Sequence, residues 1–133
     1  MKQKIQVPFE AEEQENYFSW IALNTLREPC LALAYHPPNG GSRHKLEAIK
    51  LKRQGVKKGV PDIVLPASSG EYHGLYIELK RLEGGKVSED QKKFINGLKK
   101  EMYFVTVCKG WKEAAKVTKA YLELGGRGKK IIL

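Results

Sequence analysis

Two short segments, PDIVL at 61–65 and GLYIELK at 74–80, constrain the fold of this chain more than any other feature. Side chains alternate across a strand, so Ile63 and Leu65 fall on one side with Leu75, Ile77 and Leu79. The other side collects Asp62 and Val64 with Tyr76, Glu78 and Lys80. The intervening PASSGEYH is short and turn-rich, which predicts an antiparallel pair. Opposed residues in such a pair have a constant number sum. A loop centred on Gly70 therefore sets Asp62 across from Glu78, with Lys80 one pleat further along; Pro66 and the loop length leave some slack in that register.

Two carboxylates held about 4 Å apart repel by roughly 1–4 kcal/mol across the dielectric range from water to a protein surface. A divalent cation reverses the sign of that interaction, and carboxylate oxygens are the donors that Mg²⁺ or Mn²⁺ prefers. The backbone carbonyl of Leu79, between Glu78 and Lys80, offers a further oxygen. Lys80 is placed to orient or help deprotonate an attacking water and to offset charge developing on a phosphate. Charged residues on a sheet's solvent face are common. The proline at the strand start, the facing pair and the strict aliphatic face behind it favour a site here.

The rest of the chain reads as alternating helices and strands. Glu12 to Leu26 predicts a helix with Tyr17, Trp20, Ile21 and Asn24 on one face and Phe18 and Leu26 beside it. Pro29 ends it, and Cys30 to His36 reads as a short buried strand. After the turn at 37–41, Ser42 caps a helix from Arg43 to Gln54 that Gly55 stops. Ser88-Glu89-Asp90-Gln91 has the form of a capping box opening a helix to Lys100, with Phe94, Ile95 and Leu98 as its apolar face. Tyr103 to Cys108 is a strand. Trp111 to Leu122 is a helix turning Ala114, Ala115, Thr118, Tyr121 and Leu122 inward, and the tail GGRGKKIIL adds an edge strand. The order α-β-α-β-β-α-β-α gives an α/β fold with a mixed sheet flanked by helices, expected to be one domain over 1–133.

Charge and composition bear on the partner. The 133 residues hold 24 Lys plus Arg against 15 Asp plus Glu, a net +9 that suits a polyanion, nucleic acid before membrane. Lys50, Lys52 and Arg53 with Lys57 and Lys58 directly precede the first strand of the pair, and DNA-backbone contact is expected of them. The start MKQKIQVPFEAEEQE is too polar for a signal peptide, and no apolar run approaches the ~20 residues needed to cross a bilayer. Cys30 and Cys108 read as buried free thiols in a soluble intracellular protein. His44 and His73 read as surface residues.

The motifs also carry a resemblance. Asp62 after Pro61, followed by Glu78-Leu79-Lys80, resembles the PD-(D/E)XK nuclease superfamily. The ordered set of Gln14, Phe18 and Trp20, HPPNGG at 36–41, GVKKGVPD at 55–62, GLYIELK at 74–80, Ser88 to Gln91 and CKGW at 108–111 is similar to the VRR-NUC domain, the virus-type replication-repair nuclease, in its small stand-alone phage or bacterial form. The resemblance implies a restriction-endonuclease-like αβββαβ core and a Mg²⁺- or Mn²⁺-dependent nuclease acting in DNA replication, repair or recombination. It implies no nucleotide cofactor, a homodimer, and a cytoplasmic setting in a bacterial or phage-infected cell. Asp62 and Glu78 would hold the metal, Lys80 would be catalytic, and Gln91 would border the site. It also implies an acidic residue on the first helix near the metal. Glu10, Glu12, Glu13 and Glu15 are candidates, and helical spacing favours Glu13, on the face of Tyr17, Trp20 and Ile21. Asn39, His36 and Arg43 are candidates for phosphate contact, beside a plain turn for 39–41. A DNA-binding module that does not cut, and a nuclease of end-processing or restriction-like specificity, share these features.

Overall fold

The computed structural model describes residues 9–38 and 45–133, so Ser42, His44 and the candidate DNA contacts Asn39 and Arg43 lie outside the described residues. At the centre is a mixed three-stranded sheet in the order β1 (Ile63–Leu65), β2 (Leu75–Lys80), β3 (Phe104–Lys109). β1 and β2 pair antiparallel as Ile63↔Ile77, Val64↔Tyr76 and Leu65↔Leu75. That is the register of the Gly70-centred loop. β2 and β3 run parallel, from Leu75↔Phe104 to Lys80↔Lys109, with helix α3 (Glu89–Lys100) as the crossover a parallel pair needs.

The aliphatic face of the pair lies in the core. Ile63, Leu65, Leu75, Ile77 and Leu79 pack with Tyr17, Trp20 and Ile21 of α1 (Glu10–Asn24) and with Ala114, Ala115, Tyr121 and Leu122 of α4 (Gly110–Leu124). The faces expected of both helices are the faces buried, including Asn24 and Thr118. The Thr118 hydroxyl lies 2.8 Å from the Tyr17 hydroxyl and donates to the Ala114 carbonyl, so these polar atoms enter the core already partnered. Leu26 lies beyond the end of α1 and is exposed. Cys108 is buried and Cys30 half-buried, and both are free thiols.

Two expected strands differ. Cys30 to His36 forms a 3₁₀ turn, Pro29–Leu33, followed by one antiparallel bridge from Tyr35 to Val64. The fixed φ of Pro29 suits the first turn of a helix, and of the CLALAY run only Leu31 is fully buried. The first strand of the αβββαβ order is thereby reduced to a single pairing at the sheet edge. The C-terminal tail is not an edge strand; it crosses α1 and α4. Ile131 is buried, the Trp20 indole donates to the Ile132 carbonyl at 2.7 Å, and the Asn24 side chain accepts from the Ile132 amide at 2.9 Å. Helix side chains supply the partners that a ladder would have given this backbone.

Helix α2 (Lys45–Arg53) buries no residue. Its end follows the expected stop: the Val56 amide donates back to the Leu51 carbonyl around Gly55, which sits at φ +97°. No helix is long and apolar enough to cross a membrane among the described residues.

Candidate active site

Where β1 and β2 approach the chain end of β2, the charged face of the pair is covered. Glu78 and Lys80 are 2% and 7% exposed, burial that carboxylates and ammonium groups accept only when partnered. Lys80 Nζ is 3.4 Å from Glu78 Oε1 and donates to Gln91 Oε1 at 3.3 Å. The Gln91 amide donates to the same Glu78 Oε1 at 3.0 Å. Asp62 lies one residue beyond the last paired position of β1, where its Oδ2 accepts from the Leu79 amide at 2.8 Å. This backbone anchor is not visible in the motif. Its signal was the register itself, which brings residue 62 level with 78.

Gln91 occupies both roles open to it. Its Oε1 accepts from the Ser88 backbone amide at 2.8 Å while its own backbone amide donates to Ser88 Oγ at 3.2 Å, completing the capping box. The same side chain bridges Glu78 and Lys80. The cap fixes the rotamer, and the fixed rotamer presents the amide to the carboxylate.

Two glutamates of the first helix, Glu13 that periodicity favours and Glu10, lie in different surroundings. Glu13 is buried, but its Oε2 accepts from the Trp111 amide at 2.6 Å, at the N-terminus of α4. An anion there meets unsatisfied amides and the positive end of a helix dipole. Glu10, one turn earlier, has Oε1 4.0 Å from Lys80 Nζ and a side chain 45% exposed. The Arg81 guanidinium lies over the Phe9 ring, 5.0 Å from its centroid, and ties the start of α1 to the end of β2. His36, just past the Tyr35 bridge, has Nδ1 2.6 Å from the Asp62 carbonyl oxygen. Helical spacing identified the buried face of α1 but not which end of it borders the lysine.

The electrostatics bear on whether a cation fits. Burial first, and then the adjoining Asp62 carboxyl, push the Glu78 carboxyl up to about 9, with Lys80 only partly opposing them. Glu78 Oε2 is buried and has no hydrogen-bond partner among the described residues. A carboxylate pair with an orphaned oxygen, able to share one proton, is a donor set that a hard divalent cation fits, replacing that proton. Among the described residues no third His, Cys, Asp or Glu joins the pair as a three-ligand cluster.

Lys45, Lys52, Lys57 and Lys58 line a groove of about 610 Å³ together with Ile49, Leu51, Val56 and Asp90. Lys50 and Arg53 are exposed on α2 but do not line it. His73 is exposed at the start of β2.

Fold and site together define a mixed α/β domain in which half-buried Asp62 and Gln91 gather about buried Glu78 and Lys80 at the end of an antiparallel pair. The VRR-NUC domain model matches residues 2–112, and the chain belongs to that family, a nuclease-type domain. A solved structure named VRR_NUC domain protein is similar over 94% of this chain and 98% of its own, at 31% identity and a TM-score of 0.78. None of the curated proteins matches the chain.

Proposed function

We propose that this chain is a metal-dependent DNA endonuclease that hydrolyses phosphodiester bonds, with a preference for branched DNA such as four-way junctions or flaps. The observation that carries the reading is half-buried Asp62 set beside buried Glu78, whose Oε2 has no partner among the described residues, next to Lys80. Asp62 and Glu78 would hold Mg²⁺ or Mn²⁺, with the Leu79 carbonyl as a further oxygen. A cation bound there supplies Lewis-acid polarisation of the phosphate and a more acidic water. Lys80, held by Gln91 and Glu78, orients the attacking water and offsets charge developing on the phosphate oxygens. Gln91 holds that amine and the Glu78 carboxylate in fixed relation. Of the first-helix acids, the geometry favours Glu10 at the site, because Glu13 is engaged by the Trp111 amide. The lysine groove and the net +9 supply backbone affinity for DNA.

The test is cleavage of labelled linear duplex, single-stranded, flap and four-way junction DNA with Mg²⁺, Mn²⁺ or EDTA. Cutting with metal and none in EDTA is expected, lost in Asp62→Ala and Lys80→Ala. No cutting of any substrate would leave a DNA-binding module that does not cut. Equal cutting of every duplex form would remove the branched-DNA preference and leave an end-processing or restriction-like nuclease.

A further inference from the structure

Gly59 lies in the loop between the basic segment and β1, at φ +84°. A Cβ built on it would stand 2.6 Å from both the carbonyl carbon and oxygen of Asp90 and 2.9 Å from the Gln91 nitrogen. These are backbone atoms of the first turn of α3, and unlike the end of a flexible side chain they cannot swing aside. Gly55, four residues earlier, has the same sign of φ, at +97°, yet a Cβ there would meet nothing within 4 Å among the described residues. The two glycines therefore separate two requirements: Gly55 is needed for its dihedral alone, Gly59 for its dihedral and for the approach of one backbone to another.

What Gly59 approaches is the turn whose Gln91 side chain reaches Glu78 and Lys80. On its other side, Lys57 and Lys58 line the basic groove together with Asp90. We propose that Gly59 is a positioning residue: the missing side chain lets the loop carrying Lys57 and Lys58 seat on the first turn of α3, and that seat sets where Gln91 holds Glu78 and Lys80. A methyl group at 59 displaces either the loop or the turn, and Gln91 moves with the turn. The kinetic consequence rests on the nuclease reading above; the structural one does not.

The experiment compares Gly59→Ala with Gly55→Ala in the full chain, with two readouts. In NMR spectra, the side-chain amide signals of Gln91 are expected to shift in Gly59→Ala and to stay in place in Gly55→Ala. In cleavage of the best substrate, Gly59→Ala lowers kcat by about a hundredfold with little change in KM, the scale of loss for a displacement near 1 Å at a catalytic group. In a Gln91→Ala background the same substitution lowers kcat no further. Unmoved Gln91 signals in Gly59→Ala, an equal shift in Gly55→Ala, or additive losses with Gln91→Ala would each overturn the proposal. If wild-type protein cuts nothing, the nuclease reading fails, and the Gln91 signals still decide the role of Gly59. Should Gly59→Ala not fold, the wild-type protein decides: a strong cross-relaxation peak between the Gly59 Hα and Gln91 amide protons supports the seat, and its absence overturns it.

Discussion

At Glu78, burial and a neighbouring carboxylate act against ionisation while one lysine acts for it, and the balance raises the carboxyl from 4.5 to about 9. A group whose folded pKa lies above its unfolded value stabilises the fold below the unfolded value, and that contribution is lost as pH rises through the folded one. Metal-free protein is thus expected to lose melting temperature between about pH 5 and pH 9, the window these two values define. The slope should be smaller in Glu78→Gln, and smaller in wild type once Mg²⁺ or Mn²⁺ replaces the shared proton. Identical slopes in EDTA for wild type and Glu78→Gln would sink this account. The two first-helix glutamates should part in opposite ways. Glu13→Ala strips a half-buried amide at the start of α4 of its acceptor and should cost about 1–2 kcal/mol of stability in a denaturant titration. Glu10→Ala should leave stability nearly unchanged and lower cleavage about 10–100-fold, the loss seen for partners that orient a metal's ligands. If Glu13→Ala lowers cleavage more than Glu10→Ala at equal folded fraction, the assignment of Glu10 is wrong.

At the scale of elements, α3 does two jobs through one residue, because the third position of its capping box falls beside Glu78 and Lys80. The basic groove belongs to α2 and the loop that follows, an element that buries none of its own residues. Its apolar residues and its lysines line one groove together, exposed to the solvent that a phosphate backbone would displace. Each lysine that neutralises a duplex phosphate adds about 0.9 to the slope of log binding constant against log salt. Removing Lys57 and Lys58 together should therefore lower that slope by about 2 and weaken binding to every duplex sequence alike. A filter-binding salt series measures it, and an unchanged slope would place the DNA elsewhere. Cleavage of DNA already bound at low salt should survive in that variant, since Gln91 and Glu78 are what hold Lys80.

Across the whole molecule, the sheet divides the structure by chemistry. α1 and α4 close the aliphatic face, while Gln91 of α3 reaches the face that bears Glu78 and Lys80. On the nuclease reading proposed above, one such site would cut one strand. Resolving a four-way junction takes two cuts related by two-fold symmetry, which a homodimer supplies. A dimer mass by light scattering, and paired nicks released together from a junction, are the expected results. A monomer that nicks a junction once and dissociates would limit the protein to flaps or ends.

Alternation and loop length in the sequence determined the pairing of Asp62 with Glu78, because strand period and a short loop are local properties and Gly70 marks the centre. The buried faces of α1 and α4 were legible for the same reason, as was the capping box. What only the tertiary structure decided depends on how elements meet. Glu10 and Glu13 share the first turns of α1, and their fates separate because α4 begins beside one and Lys80 ends beside the other. Cys30 to His36 has a strand-like composition, but Pro29 and a single pairing at the sheet edge leave a 3₁₀ turn and a bridge. The tail has strand-like residues too, yet Trp20 and Asn24 hold its backbone across the helices. The trio Asp62, Glu78 and Lys80 was therefore written in local periodicity. Its burial, the orphaned oxygen of Glu78 and the seat of Gly59 beneath Gln91 follow from packing distant segments together, which no local pattern encodes.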